Sequence, residues 1–77
     1  MNIKVNGKGQ LIQKESISVS ELLKSNNVVS VEMISVQLNG SFIDKKDFEK
    51  INLSENDELD FLYFMGGGNN NDTKINN

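Results

Sequence analysis

The chain has 77 residues, no cysteine, histidine, proline or tryptophan, and a formal net charge of −3 from 11 acidic and 8 basic residues. That length makes one domain with a modest core and leaves little room for a deep active-site cavity of its own. Without Cys or His there is no disulfide, thiolate zinc site, cysteine nucleophile or imidazole base, so the composition argues for a protein that binds or is acted upon. Every basic side chain is a lysine, and the arginine forks and basic clusters used on nucleic acids are missing. No apolar run approaches the ~20 residues of a membrane span, and the N-terminus lacks the apolar stretch of a signal peptide; a soluble cytoplasmic protein is expected.

Residues 1–5 alternate apolar and polar side chains as a half-buried strand does, and Asn6-Gly7 then favours a hairpin because both residues tolerate positive φ. A second strand is expected over residues 10–16, with Gly9 marking a looser turn or a bulge that leaves the register open. Ser18 and Glu21 have the spacing of a capping box, and Ile17 and Leu22 can close a hydrophobic staple around it. Val19, Leu22 and Leu23 then give a short helix one apolar face, and Asn26-Asn27 supplies a stop. Residues 28–33 are β-prone, but the apolar phase slips between Met33 and Ile34, which implies a bend, a bulge or two separate segments. Leu38-Asn39-Gly40-Ser41 reads as a second hairpin turn, followed by a short edge strand that begins at Phe42-Ile43. Residues 45–50 are charged and irregular or single-turn, with Phe48 as a core anchor and Ile51 and Leu53 beside it; residues 54–57 turn the chain into the last strand.

That strand, residues 58–65, should be central, with Leu59, Phe61 and Tyr63 on one face and Leu62 and Phe64 on the other. Its aromatic strip, 61–64, is expected to be mostly core, with one or two side chains left for partners. The order strand, strand, helix, strand, short strand, strand predicts an α+β fold: a mixed four- to five-stranded sheet with one helix across it, the β-grasp arrangement of ubiquitin-like domains. The domain would cover residues 1–65, followed by a flexible glycine arm, 66–68, and a disordered polar tail, 69–77. Two readings of the glycine run stand. It is either a thin spike able to enter space closed to other residues, about 10 Å long when extended, or an inert linker to the tail. A phosphate-cradling loop is disfavoured, since no Gly-Lys-Ser/Thr ending or helix follows. The acids Glu55, Asp57, Glu58 and Asp60 either steer the domain to a basic groove or form a solvated turn; their spacing matches no calcium loop, and no metal site is expected.

Taken in order, Ile3-Lys4-Val5-Asn6-Gly7, Val19-Ser20-Glu21-Leu22-Leu23, Val36-Gln37-Leu38-Asn39-Gly40, Asp57-Glu58-Leu59 and Phe64-Met65-Gly66-Gly67-Gly68 resemble the sulfur carrier proteins of the thiamine pathway, the ThiS family. The resemblance implies a carrier rather than an enzyme. In that family a ThiF-type adenylating enzyme uses ATP to activate the terminal glycine carboxylate, a cysteine desulfurase sulfur relay converts it to a thiocarboxylate, and thiazole synthase takes the sulfur. The carrier itself binds no cofactor. Matched residue by residue, Gly68 is the activated residue, Gly66 and Gly67 form the arm, and Leu62, Phe64 and Met65 offer an apolar docking patch beside it. One departure stands out: residues 69–77 follow Gly68, so Gly68 carries an amide instead of a free carboxylate. Either a protease removes the tail or carrier activity has been lost. The alternatives are a carrier like the small subunit of molybdopterin synthase, a family that tends to carry prolines before its terminus, and a ubiquitin-like interaction module whose glycines only tether the tail.

Overall fold

Two Asn-Gly turns set the architecture. Asn6 and Gly7 have φ of 51° and 83°, and Asn39 and Gly40 have φ of 52° and 87°. Left-handed backbone at both central positions matches the natural twist of two antiparallel strands, so each dipeptide closes a two-residue hairpin. In the computed structural model, which describes residues 1–64, the first hairpin joins β1 (Asn2–Val5) to β2 (Lys8–Leu11), and the second joins β3 (Ile34–Leu38) to β4 (Ser41–Ile43). The remaining elements are the helix α1 (Val19–Ser25), the strand β5 (Glu58–Tyr63), and 3₁₀ turns at Val31–Met33 and Lys45–Asp47. The sheet order is β2-β1-β5-β3-β4, with β1 parallel to β5 and the other pairs antiparallel. This mixed five-stranded sheet with one helix is the expected β-grasp arrangement.

The same two asparagines hold β5 in the middle. Asn6 donates its N–H to the Leu59 carbonyl (3.0 Å), and its Oδ1 accepts from the Phe61 N–H (2.8 Å). On the opposite side Asn39 donates its N–H to the Glu58 carbonyl (2.7 Å), and its Oδ1 accepts from the Glu58 N–H (2.9 Å). Its Nδ2 also donates to Asp57 Oδ1 at 3.0 Å. Each turn therefore reaches sideways into the neighbouring strand and satisfies amides that a bare turn would leave open.

The helix begins where the capping box places it. Ser18 Oγ accepts from the Glu21 N–H (3.0 Å), and Glu21 Oε1 accepts from the Ser18 N–H (3.0 Å). The next free amides are taken up by the 48–51 segment, since Val19 N–H donates to Ile51 O and Ser20 N–H to Phe48 O, both at 2.9 Å. At the other end Asn26 caps the helix, and its side chain is bridged to β2 by Gln10 Nε2, which donates to Asn26 Oδ1 at 2.7 Å. Val19, Leu22 and Leu23 are fully buried and meet Ile3, Val5, Ile34, Val36 and Leu59 from the sheet, with Ile17, Val28, Phe48 and Leu53 closing the rim.

Two expectations are corrected here, the extent of the second strand and of the last, and one open alternative is resolved. The second strand is Lys8–Leu11, not residues 10–16, and it carries no bulge: Val5 pairs with Lys8, Lys4 with Gly9 and Ile3 with Gln10. The left-handed Asn6-Gly7 pair already completes the turn, so pairing starts at once and Gly9 is an ordinary strand residue. The hairpin ends when Met1 and Ile12 exchange backbone bonds, Ile12 N–H to Met1 O at 2.7 Å and the Met1 ammonium to Ile12 O at 2.6 Å. The slip between Met33 and Ile34 resolves into separate segments, a 3₁₀ turn and β3, with Val29 left 90% exposed. The last strand ends at Tyr63, while Met65 lies outside the described residues.

Two outcomes follow from this bonding. Asn39→Ala removes both side-chain bonds to the start of β5, and urea unfolding should show a loss of about 1–3 kcal/mol. The Ser18 N–H bond, and then the charge of Lys14, hold the Glu21 carboxyl below its ordinary value of 4.5. A depressed carboxyl contributes stability above its unfolded pKa and loses it as pH falls through the folded one. Glu21→Gln should therefore lower the urea midpoint at neutral pH, and the gap to the parent should close in acid.

Candidate functional site

The helix covers one face of the sheet and leaves the other open. Strand alternation assigns the residues: Leu59, Phe61 and Tyr63 of β5 lie on the helix side, and Glu58, Asp60, Leu62 and Phe64 on the open side. Across β3, Ser35 stands opposite Leu62 and Gln37 opposite Asp60, while Gln37 also stands opposite Phe42 of β4. The register thus brings Phe42 and Leu62 to the same open face on either side of β3. Both are bare, at 73% and 70% exposure, and Phe64 follows at 60%. An open groove of ≈ 560 Å³ runs between Phe42 and Leu62, with Gln37 and Asp60 in its floor and Asn6 at its side.

This arrangement corrects the expected burial of 61–64. Phe61 is half-buried and meets Tyr63 edge to face, with ring centroids 6.4 Å apart, but Tyr63, Leu62 and Phe64 are all exposed. A central position in the sheet order does not bury both faces when a single short helix covers only one of them. Clustered aromatic and aliphatic side chains left in water on a small domain mark an interaction surface.

The four acids separate into two roles. Glu55 accepts from the Asn2 N–H at 3.1 and 3.2 Å, and Asp57 accepts from the Ser54 N–H at 2.7 Å as well as from Asn39. These two carboxylates tie the turn before β5 together. Glu58 and Asp60 stand on the open face, with Lys4 of β1 in register beside Glu58. Among the described residues no group of three or more His, Cys, Asp or Glu side chains could hold a metal ion, and no helix is long and apolar enough to cross a membrane.

Of the residues singled out in the sequence, Leu62 and Phe64 are on the open face, and the Phe64 N–H is tied to the Met33 carbonyl at 3.0 Å. Met65, Gly66, Gly67 and Gly68 lie outside the described residues. Sequence reasoning missed Phe42, Gln37 and Asn6 as parts of this surface. The signal for Phe42 was present: carrying the register of the Asn39-Gly40 hairpin forward puts Phe42 opposite Gln37, and so on the outer face.

The match to the ThiS family model runs over residues 3–68, from within β1 through β5 to the end of the glycine run. The chain belongs to the ThiS family. Among solved structures, it is similar to the thiamine biosynthesis protein ThiS from Geobacter metallireducens in its crystal form, with 40% identity over 88% of this chain and 100% of that chain and a TM-score of 0.77. It is likewise similar to the solution structure of a thiamine biosynthesis protein from the same organism, with 40% identity, 90% of each chain covered and a TM-score of 0.75. No curated protein matches the chain. In the sequence the glycine run 66–68 follows Phe64-Met65, just past β5, the strand that carries Leu62, and it lies within the matched span.

If the open face serves contact rather than folding, its side chains should be dispensable for stability. Phe42→Ser and Leu62→Ser should each change the unfolding free energy by no more than about 0.5 kcal/mol. Leu59→Ala, on the helix side of the same strand, should lose about 2–5 kcal/mol in the same denaturation series.

Proposed function

We propose that this chain is a sulfur carrier for formation of the thiamine thiazole, acted on by other enzymes rather than catalysing a reaction itself. The observation that carries the reading is the extent of the family match, which ends on Gly68, the last residue of the glycine run. A carboxylate is a poor acylating group, whereas an acyl-adenylate has an electrophilic carbonyl. The Gly68 carboxylate attacks the α-phosphate of ATP held by a ThiF-type adenylating enzyme, and pyrophosphate leaves. The terminal sulfur of a persulfide on the cysteine desulfurase relay then attacks that carbonyl and displaces AMP, and a thiol reduces the resulting acyl disulfide, releasing the thiocarboxylate that thiazole synthase consumes. All of the catalytic groups belong to the partners, which suits a chain without His or Cys.

The residue types of the arm and the exposed open face beside it support this reading. Gly66, Gly67 and Gly68 offer no side chain to a narrow channel, and Leu62, Phe64 and Met65 would stand at its mouth with Phe42 completing the apolar contact. Asp60 and Glu58 on the same face suit a basic rim on the adenylating enzyme, favouring encounter and orientation more than affinity. While residues 69–77 remain attached, Gly68 holds an amide and cannot be adenylated. Removal of the tail by a protease therefore precedes activation.

A version ending at Gly68, incubated with ATP and the ThiF-type enzyme, should release pyrophosphate, and the 77-residue form should release none. Equal activity of the two forms would overturn the precursor reading, and inactivity of both would overturn the carrier assignment.

A further inference from the structure

Strand β5 is paired on both sides only over its first half. On the β3 side the ladder runs from Leu38 opposite Leu59 to Ile34 opposite Tyr63, and the Phe64 N–H extends it to the Met33 carbonyl at 3.0 Å. On the β1 side it stops with Val5 opposite Leu59, because the chain turns back at Asn6-Gly7. Backbone groups of successive strand residues point to alternate sides. Those of Glu58 and Phe64 bond toward β3, so those of Phe61 and Tyr63 point the other way. Asn6 Oδ1 takes the Phe61 N–H at 2.8 Å, one residue past the end of the β1 ladder. Beyond it, the Phe61 carbonyl and the Tyr63 N–H and carbonyl face a side that β1 does not reach. Among the described residues no backbone group pairs with them there.

We infer that this edge of β5, unpaired among the described residues from the Phe61 carbonyl through Tyr63, is a strand-addition site that receives an extended backbone segment of the enzyme to which the arm is delivered. The inference rests on the carrier reading, because the incoming segment belongs to that enzyme. The occupant is defined by the chemistry of the edge: main-chain donors and acceptors spaced as a strand select another strand. Its side chains alternate, one set meeting the Tyr63 ring and the other meeting Leu62 on the open face, so the segment is apolar at both. Proteins usually blunt an edge of this kind with Lys, Pro or a bulge. Residues 61–64 are Phe, Leu, Tyr and Phe, with no charge and no proline among them. Asn6 sets the register by occupying the Phe61 N–H, so an incoming segment can begin only at the Phe61 carbonyl. Main-chain pairing here would lay the partner alongside the root of the arm and aim residues 66–68 without using any side chain of the arm itself.

Residue-resolved amide hydrogen exchange tests this directly. The 77-residue chain and the version ending at Gly68 are each measured alone and with the ThiF-type enzyme; both contain every buried residue of the described core, from Ile3 to Leu59. In the free protein the Tyr63 amide should exchange far faster than that of Leu62, which bonds toward β3, and in a complex it should slow at least tenfold. Tyr63→Pro removes that donor without touching the β3 ladder, and should weaken the complex about three- to tenfold, as loss of one hydrogen bond does. Tyr63→Phe keeps the N–H and should bind like the parent. A complex that forms with Tyr63 exchange unchanged overturns the strand-addition site and leaves the carrier reading intact. Failure of both forms to bind the enzyme overturns both.

Discussion

The position of β5 depends on two asparagines that act twice. In each Asn-Gly turn the backbone of the asparagine takes a left-handed conformation that few side chains tolerate, and its carboxamide then binds the strand alongside. Asn39 holds the entry of β5 and Asn6 a point further along, from opposite sides of the strand. A strand that closes a sheet late in sequence must find its place between two hairpins already formed by local turns. These bonds supply directional contacts at both borders where the ladders run out, complementing the non-directional burial of Leu59. Because the glycine run follows β5 in the sequence, the same bonds fix the strand that precedes it.

From that placement the two faces take separate tasks. The helix side holds nearly all the buried apolar residues and accounts for the fold. The open side carries Phe42, Leu62 and Phe64 in water, with Asp60 and Glu58 beside them. A chain of this size has few apolar side chains to spare, and exposing three large ones on one surface favours a role in contact. The helix is short, capped by its own Ser18 and Glu21, and covers one face only. With one helix, packed on one side of the sheet, the opposite face stays available.

Much of this was legible in the residues because the signals were local. Asn-Gly pairs dictate hairpins, Ser18 and Glu21 dictate a helix start, and the slip between Met33 and Ile34 marks a boundary; each operates within a few residues. The expected extent of β2 erred because Gly9 suggested a looser turn or a bulge, whereas the Asn6-Gly7 turn before it already fixes the register. The burial of 61–64 was misjudged for a different reason. Alternation says which side chains share a face, but not whether anything covers that face, and the answer depends on the length and position of a helix forty residues earlier. The bonds from Asn6 and Asn39 to β5 could not be read at all, since they join residues 55 and 19 positions apart through contacts that only the folded topology creates.

The central claim is that this domain is a substrate: a rigid body whose value to other enzymes lies in the glycine carboxylate it offers them. Intact-mass measurement of the protein taken from its native host under thiamine starvation tests that claim most directly. The account predicts a chain that ends at Gly68, with a fraction heavier by the replacement of one oxygen by sulfur. Recovery of the uncut 77-residue protein alone would contradict it.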